Sequence, residues 1–282
     1  MDQDTTTLRS RVKRVAGHRL SRDVVRLGYG IARSAVDSLR ARRPTTTRWS
    51  PREQRWHYHW PEGRVADPGR WKDAQGWATQ GFYYGMEDLL WSDYRPGPGD
   101  VVLDIGAGHG GETLYLADMV GPTGRVLSVE AAGTPYASLA DLVARNGWTH
   151  VEPIRLAVGA EAGTARISDD THWVAGNVFG ERGEAVAMDT IDALCAERGI
   201  EHVDWVKMNI EGAERDALRG MESMAARVHH LTISCHDFLG TDWGRSLEFV
   251  TSWLADHGFT VRRREVGDFV QQCYLYASRD GG

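Results

Sequence analysis

Val101-Val-Leu-Asp104-Ile-Gly106-Ala107-Gly108-His-Gly110-Gly111-Glu-Thr113 is the stretch on which the reading of this chain turns. A short apolar run enters a glycine-rich turn, and helix-forming residues follow. Glycine suits a sharp backbone turn that a ligand must approach closely. The start of a helix leaves N–H groups without partners and carries partial positive charge, so such a turn attracts an anion. The next apolar run, Arg125-Val-Leu-Ser-Val-Glu130, ends in a carboxylate. About 20 residues beyond a glycine turn, a carboxylate is placed to accept the two hydroxyls of a ribose. The two signals together imply a nucleoside-bearing cofactor across the ends of neighbouring strands.

Outward from this centre, apolar runs alternate with helical patterns. Strands are expected at 101–105, 125–129, 151–155, 185–188, 203–209, 229–235, 259–264 and 272–277. Helices are expected at 111–120, 134–146, 190–198, 213–225 and 244–257. Such alternation predicts an α/β fold with a mostly parallel sheet covered on both faces. Only the short polar loop Glu265–Phe269 separates the last two strands, which predicts a C-terminal antiparallel hairpin.

Gly106, Gly108 and Gly111 also satisfy the GxGxxG pattern, so a nicotinamide dinucleotide competes with S-adenosylmethionine for the site. Asp104 favours the methyl donor. Its charge is unwelcome beside a pyrophosphate but suits the donor's ammonium group, directly or through water. The donor's carboxylate would then meet the helix start. Ala157, in Ile154-Arg-Leu-Ala157-Val158-Gly159, leaves room for an adenine ring at the edge of the crevice.

Val203-Asp-Trp-Val-Lys207-Met-Asn209-Ile-Glu211-Gly212-Ala213-Glu214 is the most distinctive block. With Asp104-Ile-Gly-Ala-Gly108, Gly121-Pro-Thr-Gly124-Arg-Val, Ala157-Val-Gly159 and Thr190-Ile-Asp192, it resembles the FkbM-type methyltransferase family from residue 95 to about 240. The resemblance implies a class I, Rossmann-like methyltransferase fold, S-adenosyl-L-methionine as donor, and usually O-methylation of natural products or saccharides. One position departs from the family pattern: Asn209 stands where aspartate is usual. An amide is neither a base nor an anionic metal ligand, so no metal is expected. Beside a sulfonium whose charge dissipates in the transition state, a neutral group is suitable. Two other readings remain at this point, a nicotinamide-dependent oxidoreductase and a noncatalytic scaffold.

The expected cofactor contacts are Asp104, Gly106, Ala107, Gly108, Gly110, Thr113, Glu130, Ala131, Ala157 and Asn209. Methyl transfer also needs an aligned acceptor oxygen and a group to accept its proton. His236 follows the strand Leu231-Thr-Ile-Ser-Cys-His236, and strand C-termini face the ligand crevice in this fold. It is the first candidate base, ahead of His109, His172 and His59. Glu211 shares a strand face with Asn209 if the strand persists and is the second candidate. The expected catalytic set is therefore His236, Glu211 and Asn209. Lys207 is expected to be structural, Glu214 to lie on a helix face, and Asp192 to stabilise the start of its helix.

Residues 1–90 read as an extension and 91–282 as the methyltransferase domain. Over 8–43, Leu8, Val12, Val15, Leu20, Val24, Leu27, Ile31, Val36 and Leu39 recur at helical spacing. Over 49–91, Trp49, Trp56, Trp60, Trp71, Trp77 and Trp91 sit among Pro and Gly, which suggests short helices and loops forming a cap, a lid or a dimer arm. The net charge of −6 hides an asymmetry: residues 1–55 hold 14 Lys and Arg against 5 Asp and Glu, and the remainder 19 against 34. An acidic body argues against nucleic acid as a partner and leaves a small molecule or saccharide as acceptor. Cys195, Cys235 and Cys273 lack metal-ligand spacing, and with no apolar run long enough for a span or a leader the expected location is cytoplasmic.

Overall fold

The computed structural model describes residues 23–36, 38–39, 44–53, 55–59, 63–66, 88–167, 183–240 and 245–279. The chain divides into two compact units, Met1–Phe82 and Tyr83–Gly282.

In the first unit, residues 23–36 are helical. Strands β1 (Thr46–Ser50), β2 (Arg55–His59) and β3 (Arg64–Ala66) form an antiparallel sheet in that order. This corrects the expectation of short helices and loops at the start of the Trp-rich segment; Trp60, Trp71 and Trp77 lie outside the described residues. Residues of β1 alternate between burial and exposure, with Thr47 and Trp49 inward. Trp49 pairs with Trp56 across the strands, and the two rings meet edge to face at 5.3 Å. Cross-strand aromatic pairing suits a pleated surface, and the period is 2, which a count of tryptophans does not reveal.

The second unit carries a seven-stranded sheet. Its strands are β4 (Val101–Ile105), β5 (Arg125–Glu130), β6 (Val151–Arg155), β10 (Val203–Met208), β11 (Val228–Ser234), β12 (Thr260–Arg263) and β13 (Tyr274–Ser278), in the order β12-β13-β11-β10-β4-β5-β6. The five strands from β11 to β6 pair in parallel, and β13 is antiparallel to both β11 and β12. The expected hairpin is thus present, with β13 inserted between β11 and β12. Helices α1 (Gly111–Val120), α2 (Gly133–Asn146), α3 (Ile191–Glu197), α4 (Glu214–Arg219) and α5 (Leu247–Asp256) flank the sheet. Leu103, Ile105, Val206, Met208, Leu231 and Ile233 are almost fully buried at its centre. Apolar residues on consecutive positions mark strands covered on both faces. The chain runs outward from β4 to β5 and β6, then returns to place β10 on the other side of β4. That reversal makes the β4–β10 boundary a topological switch point, where ligands bind beyond the strand ends.

Two elements depart from expectation. The strand expected at 185–188 exists as β9 (Glu184–Asp189), but it lies outside the main sheet. It pairs in parallel with β7 (Ala157–Val158) and antiparallel with β8 (Gly163–Ile167). Ala157, Ala165, Ile167 and Val186 close a small core of their own there. The sequence Gly-Thr-Ala-Arg-Ile offers β8 only two buried side chains, too few for a periodic signal. The three cysteines are free and buried. No helix among the described residues is long and apolar enough to cross a membrane.

Candidate functional site

The glycine turn is built by close approach of main chain. Gly106 and Ala107 each donate to the Val129 carbonyl at 2.9 Å, and Gly110 donates back to Ala107. Gly106 adopts φ +78°, and a Cβ there would collide with the Asn209 carbonyl oxygen. Only glycine fits a position that combines positive φ with backbone contact. α1 begins after Gly110 (φ +90°) without a side-chain cap.

Beneath the turn lies a buried ion pair. Lys207 Nζ is 3.0 Å from Asp104 Oδ1 and donates to the Gly106 carbonyl at 2.6 Å. Thr113 Oγ1 donates to Asp104 Oδ2 at 2.8 Å and lies 3.0 Å from Ser128 Oγ. Burial opposes the charge on Lys207, but Asp104 and Glu112 outweigh it and its pKa is raised. The pair clamps the ends of β4 and β10 to the loop. Asp104, expected to meet a ligand ammonium directly or through water, is fully buried with Lys207 and Thr113 as its partners. Ala107, Gly110 and Thr113 are buried as well. Of these, Thr113 completes the Asp104 cradle.

The crevice is open to solvent and has a cavity volume of about 120 Å³. Gly106, Gly108, Glu130, Ala131, Ala157, Asn209 and Glu211 line it, as the sequence suggested. Ile105, Val129, Ala132, Pro135, Leu156, Val158, Ile167, Ile210 and Ala213 complete the wall and were not anticipated. Ile167 comes from β8, which the sequence reading missed. Ile210 was hidden by the assumption of strand alternation. β10 ends at Met208, so the pleat no longer governs, and Asn209, Ile210 and Glu211 all reach the cavity.

Glu130 ends β5 and receives N–H bonds from Gly108 on Oε2 (2.8 Å) and from Ala132 on Oε1 (2.7 Å). Burial raises its pKa against the pull of those two donors. Each oxygen keeps a lone pair, and both can accept further hydrogen bonds.

Glu211 is the one positive-φ non-glycine among the described residues, at φ 54°. A bulky residue in that region is strained, and such strain gathers at functional sites. Its carboxylate Oε2 lies 3.4 Å from His236 Nε2. His236 Nδ1 donates to Glu214 Oε1 at 2.7 Å, and Glu214 further accepts from Ser246 Oγ at 3.0 Å and Gly212 N at 3.1 Å. Burial acts to lower the His236 pKa, but the carboxylates of Glu211 and Glu214 prevail and raise it to about 9. His236 is therefore an imidazolium near neutral pH, 2% exposed and outside the crevice wall. Both ring nitrogens of His236, the expected base or acceptor-binding residue, face carboxylates. Glu214, expected on a helix face, opens α4 and is fully buried in this network. Nothing in the spacing of these residues indicated two carboxylates around one imidazole, although Glu211, Glu214 and His236 were all in view.

The other histidines fall elsewhere. Burial lowers the pKa of His109, and it does not line the crevice. His59 lies on β2. His172, with the expected acceptor loop 169–173, lies outside the described residues. Asp192 accepts from Ser223 N and Met224 N at 2.8 Å, tying α3 to a distant turn, while Thr190 caps the helix.

A parallel sheet with a terminal antiparallel hairpin, a glycine turn after β4 and a carboxylate ending β5 defines a class I, Rossmann-like methyltransferase domain. Residues 104–261 match the Methyltransferase FkbM domain, and the chain belongs to that family. It is 28% identical over 200 residues to 31-O-demethyl-FK506 methyltransferase FkbM of Streptomyces tacrolimicus, covering 58% of this chain and 74% of that one. A stretch of 109 residues is 27% identical to AMB antimetabolite synthetase AmbE of Pseudomonas aeruginosa, covering 38% of this chain but only 5% of the synthetase. The crystal structure of methyltransferase FkbM from Methylobacillus flagellatus superposes with TM-score 0.50 at 17% identity, covering 69% of this chain and 47% of that chain.

Proposed function

We propose that this chain is an S-adenosylmethionine-dependent O-methyltransferase acting on a hydroxyl of a natural product or saccharide. The observation that carries the reading is the convergence of the glycine turn, Glu130, Asn209 and Glu211 on one crevice at the switch point. The cavity fits the donor in kind. Gly106 and Gly108 offer exposed main chain, Glu130 offers carboxylate oxygens for ribose hydroxyls, and Ala157 with Leu156 and Ile167 gives an apolar wall for a flat ring. When bound, the donor supplies an activated methyl group on a sulfonium centre. Family membership favours this donor over a nicotinamide.

The chain's own residues supply position and proton handling. Asn209 places a neutral amide in the crevice and adds no fixed anion beside a dissipating positive charge. Glu211 takes the proton of the acceptor hydroxyl, since its carboxylate lies in the crevice wall. His236, held by Glu214, fixes the Glu211 carboxylate from behind and so acts as a positioning residue. The oxygen acceptor is supported by the Streptomyces relative, whose name specifies a 31-O-demethyl substrate.

Titration calorimetry with S-adenosylhomocysteine and NADH tests the donor. Micromolar binding of the first and none of the second is expected, and the reverse overturns the reading. Incubation with labelled methyl donor and a panel of hydroxyl compounds tests the acceptor. Transfer to an amine but to no hydroxyl would reject O-methylation, and transfer to any acceptor rejects a noncatalytic scaffold.

A further inference from the structure

A second cavity shares a wall with the crevice. It measures about 290 Å³, against about 120 Å³ for the crevice, and its lining comes wholly from the second unit. Val158 and Ala213 line both spaces, so the two lie on either side of that partition. Gly159, Ala165 and Met188 add apolar surface, while Glu161, Thr164 and Asp216 supply the polar part. The floor is held by close contact. A Cβ on Gly159 would strike Met188 Sδ, and one on Gly220 would strike the Gly159 carbonyl oxygen. The turn, β9 and the end of α4 therefore meet without room to slide inward. A floor packed in this way does not collapse to fill the space above it.

The polar groups of this cavity are not spent on one another. Among the described residues, Glu161 makes no hydrogen bond or ion pair, and the Thr164 hydroxyl makes no hydrogen bond. Asp216 commits only Oδ1, to the exposed Arg219 at 2.8 Å, and an exposed pair of that kind is weak. The lining selects the chemistry of an occupant. Two carboxylates repel an anion. A calcium or magnesium ion needs a shell of oxygens, which an apolar floor does not supply. An aliphatic ammonium suits both halves. Its chain covers Val158, Ala165, Met188 and Ala213, and its N–H groups, all donors, meet Glu161, Asp216 and Thr164. We propose that this cavity is a second ligand site, separate from the donor crevice, that takes a small aliphatic ammonium compound.

Calorimetric titration of the full chain with pentylammonium chloride, at saturating S-adenosylhomocysteine so that the crevice is filled, is the test. A dissociation constant on the order of 1 mM is expected. Pentanol keeps the chain without the charge, and methylammonium keeps the charge without the chain. Each should bind at least about tenfold more weakly. Glu161→Gln with Asp216→Asn should weaken pentylammonium binding at least about tenfold and leave S-adenosylhomocysteine affinity unchanged, since neither residue lines the crevice. If that pair misfolds, Glu161→Gln alone serves, because Glu161 is exposed in a turn; it should cost about threefold. The Met188 methyl resonance, identified by its loss in Met188→Leu, should shift as the probe is added. No binding, equal binding of pentanol or methylammonium, or full affinity in a folded variant overturns the proposal. Displacement of S-adenosylhomocysteine by the probe also overturns it, by placing the probe in the crevice. Preference for calcium over pentylammonium overturns it in favour of a metal site. Failure of S-adenosylhomocysteine itself to bind sinks the donor reading and leaves this site to be read in its absence.

Discussion

Individual side chains set the electrostatics of the crevice. Glu130 must be ionised to serve as a strong acceptor, and its folded pKa is raised by burial. Affinity for S-adenosylhomocysteine should therefore fall on acidification before an ordinary exposed carboxylate would titrate. Glu130→Gln should bind about 1–3 kcal/mol more weakly and show no such acid limb in calorimetry. An unchanged dissociation constant would remove Glu130 from the site. His236 has the opposite sign. Its folded pKa of about 9 lies above the ordinary histidine value, so its stabilising contribution is complete below pH 6.5 and is lost as pH rises through about 9. Urea unfolding should show a loss on the order of 3 kcal/mol between pH 6 and 10, a slope that His236→Phe should abolish. The same variant should lower kcat more than it weakens S-adenosylhomocysteine binding, because Glu211 loses its support and the crevice wall keeps its shape. The Asp104–Lys207 pair carries a different lesson. Asp104→Ala strands a buried ammonium, and breaking such a pair costs roughly 3–5 kcal/mol, so lost binding in that variant reports stability as much as contact.

At the scale of elements, the turn between β4 and α1 is the least tolerant piece. Gly106→Ala combines a strained φ with a collision against the Asn209 carbonyl, so β10 and the turn must separate. A loss of about 2–4 kcal/mol, together with loss of S-adenosylhomocysteine binding, is expected in thermal unfolding and calorimetry; a silent substitution would mean that the turn adapts freely. Strand and helix signals were legible where periodicity was strong. The expected helix 111–120 and the strands at 101–105 and 151–155 coincide with α1, β4 and β6. The β7–β9–β8 sheet was not legible, because two-residue and half-exposed strands carry almost no period. The tryptophan-rich strands were misread because aromatic density signals burial without telling strand from loop.

At the scale of the molecule, the chain divides into two compact units. Residues 88–90 are tied to the core of the second unit: Tyr276 Oη donates to the Leu89 carbonyl at 2.6 Å, and Thr232 Oγ1 to the Leu90 carbonyl at 3.0 Å. The segment 83–282 expressed alone should unfold cooperatively and keep S-adenosylhomocysteine affinity within a fewfold of the full chain. A segment that never folds would show that the first unit completes the core.

The sequence by itself determined the α/β class, the terminal hairpin, the family and the polar part of the crevice lining, because glycine turns, apolar runs and strand-end carboxylates act through local backbone geometry. Only the tertiary structure decided which ionisable groups face the crevice and which are spent on one another. Asp104 with Lys207, and His236 between Glu211 and Glu214, are pairings across distant strands. Their charge states follow from burial and a partner's distance, and neither quantity is written in a residue's neighbours along the chain.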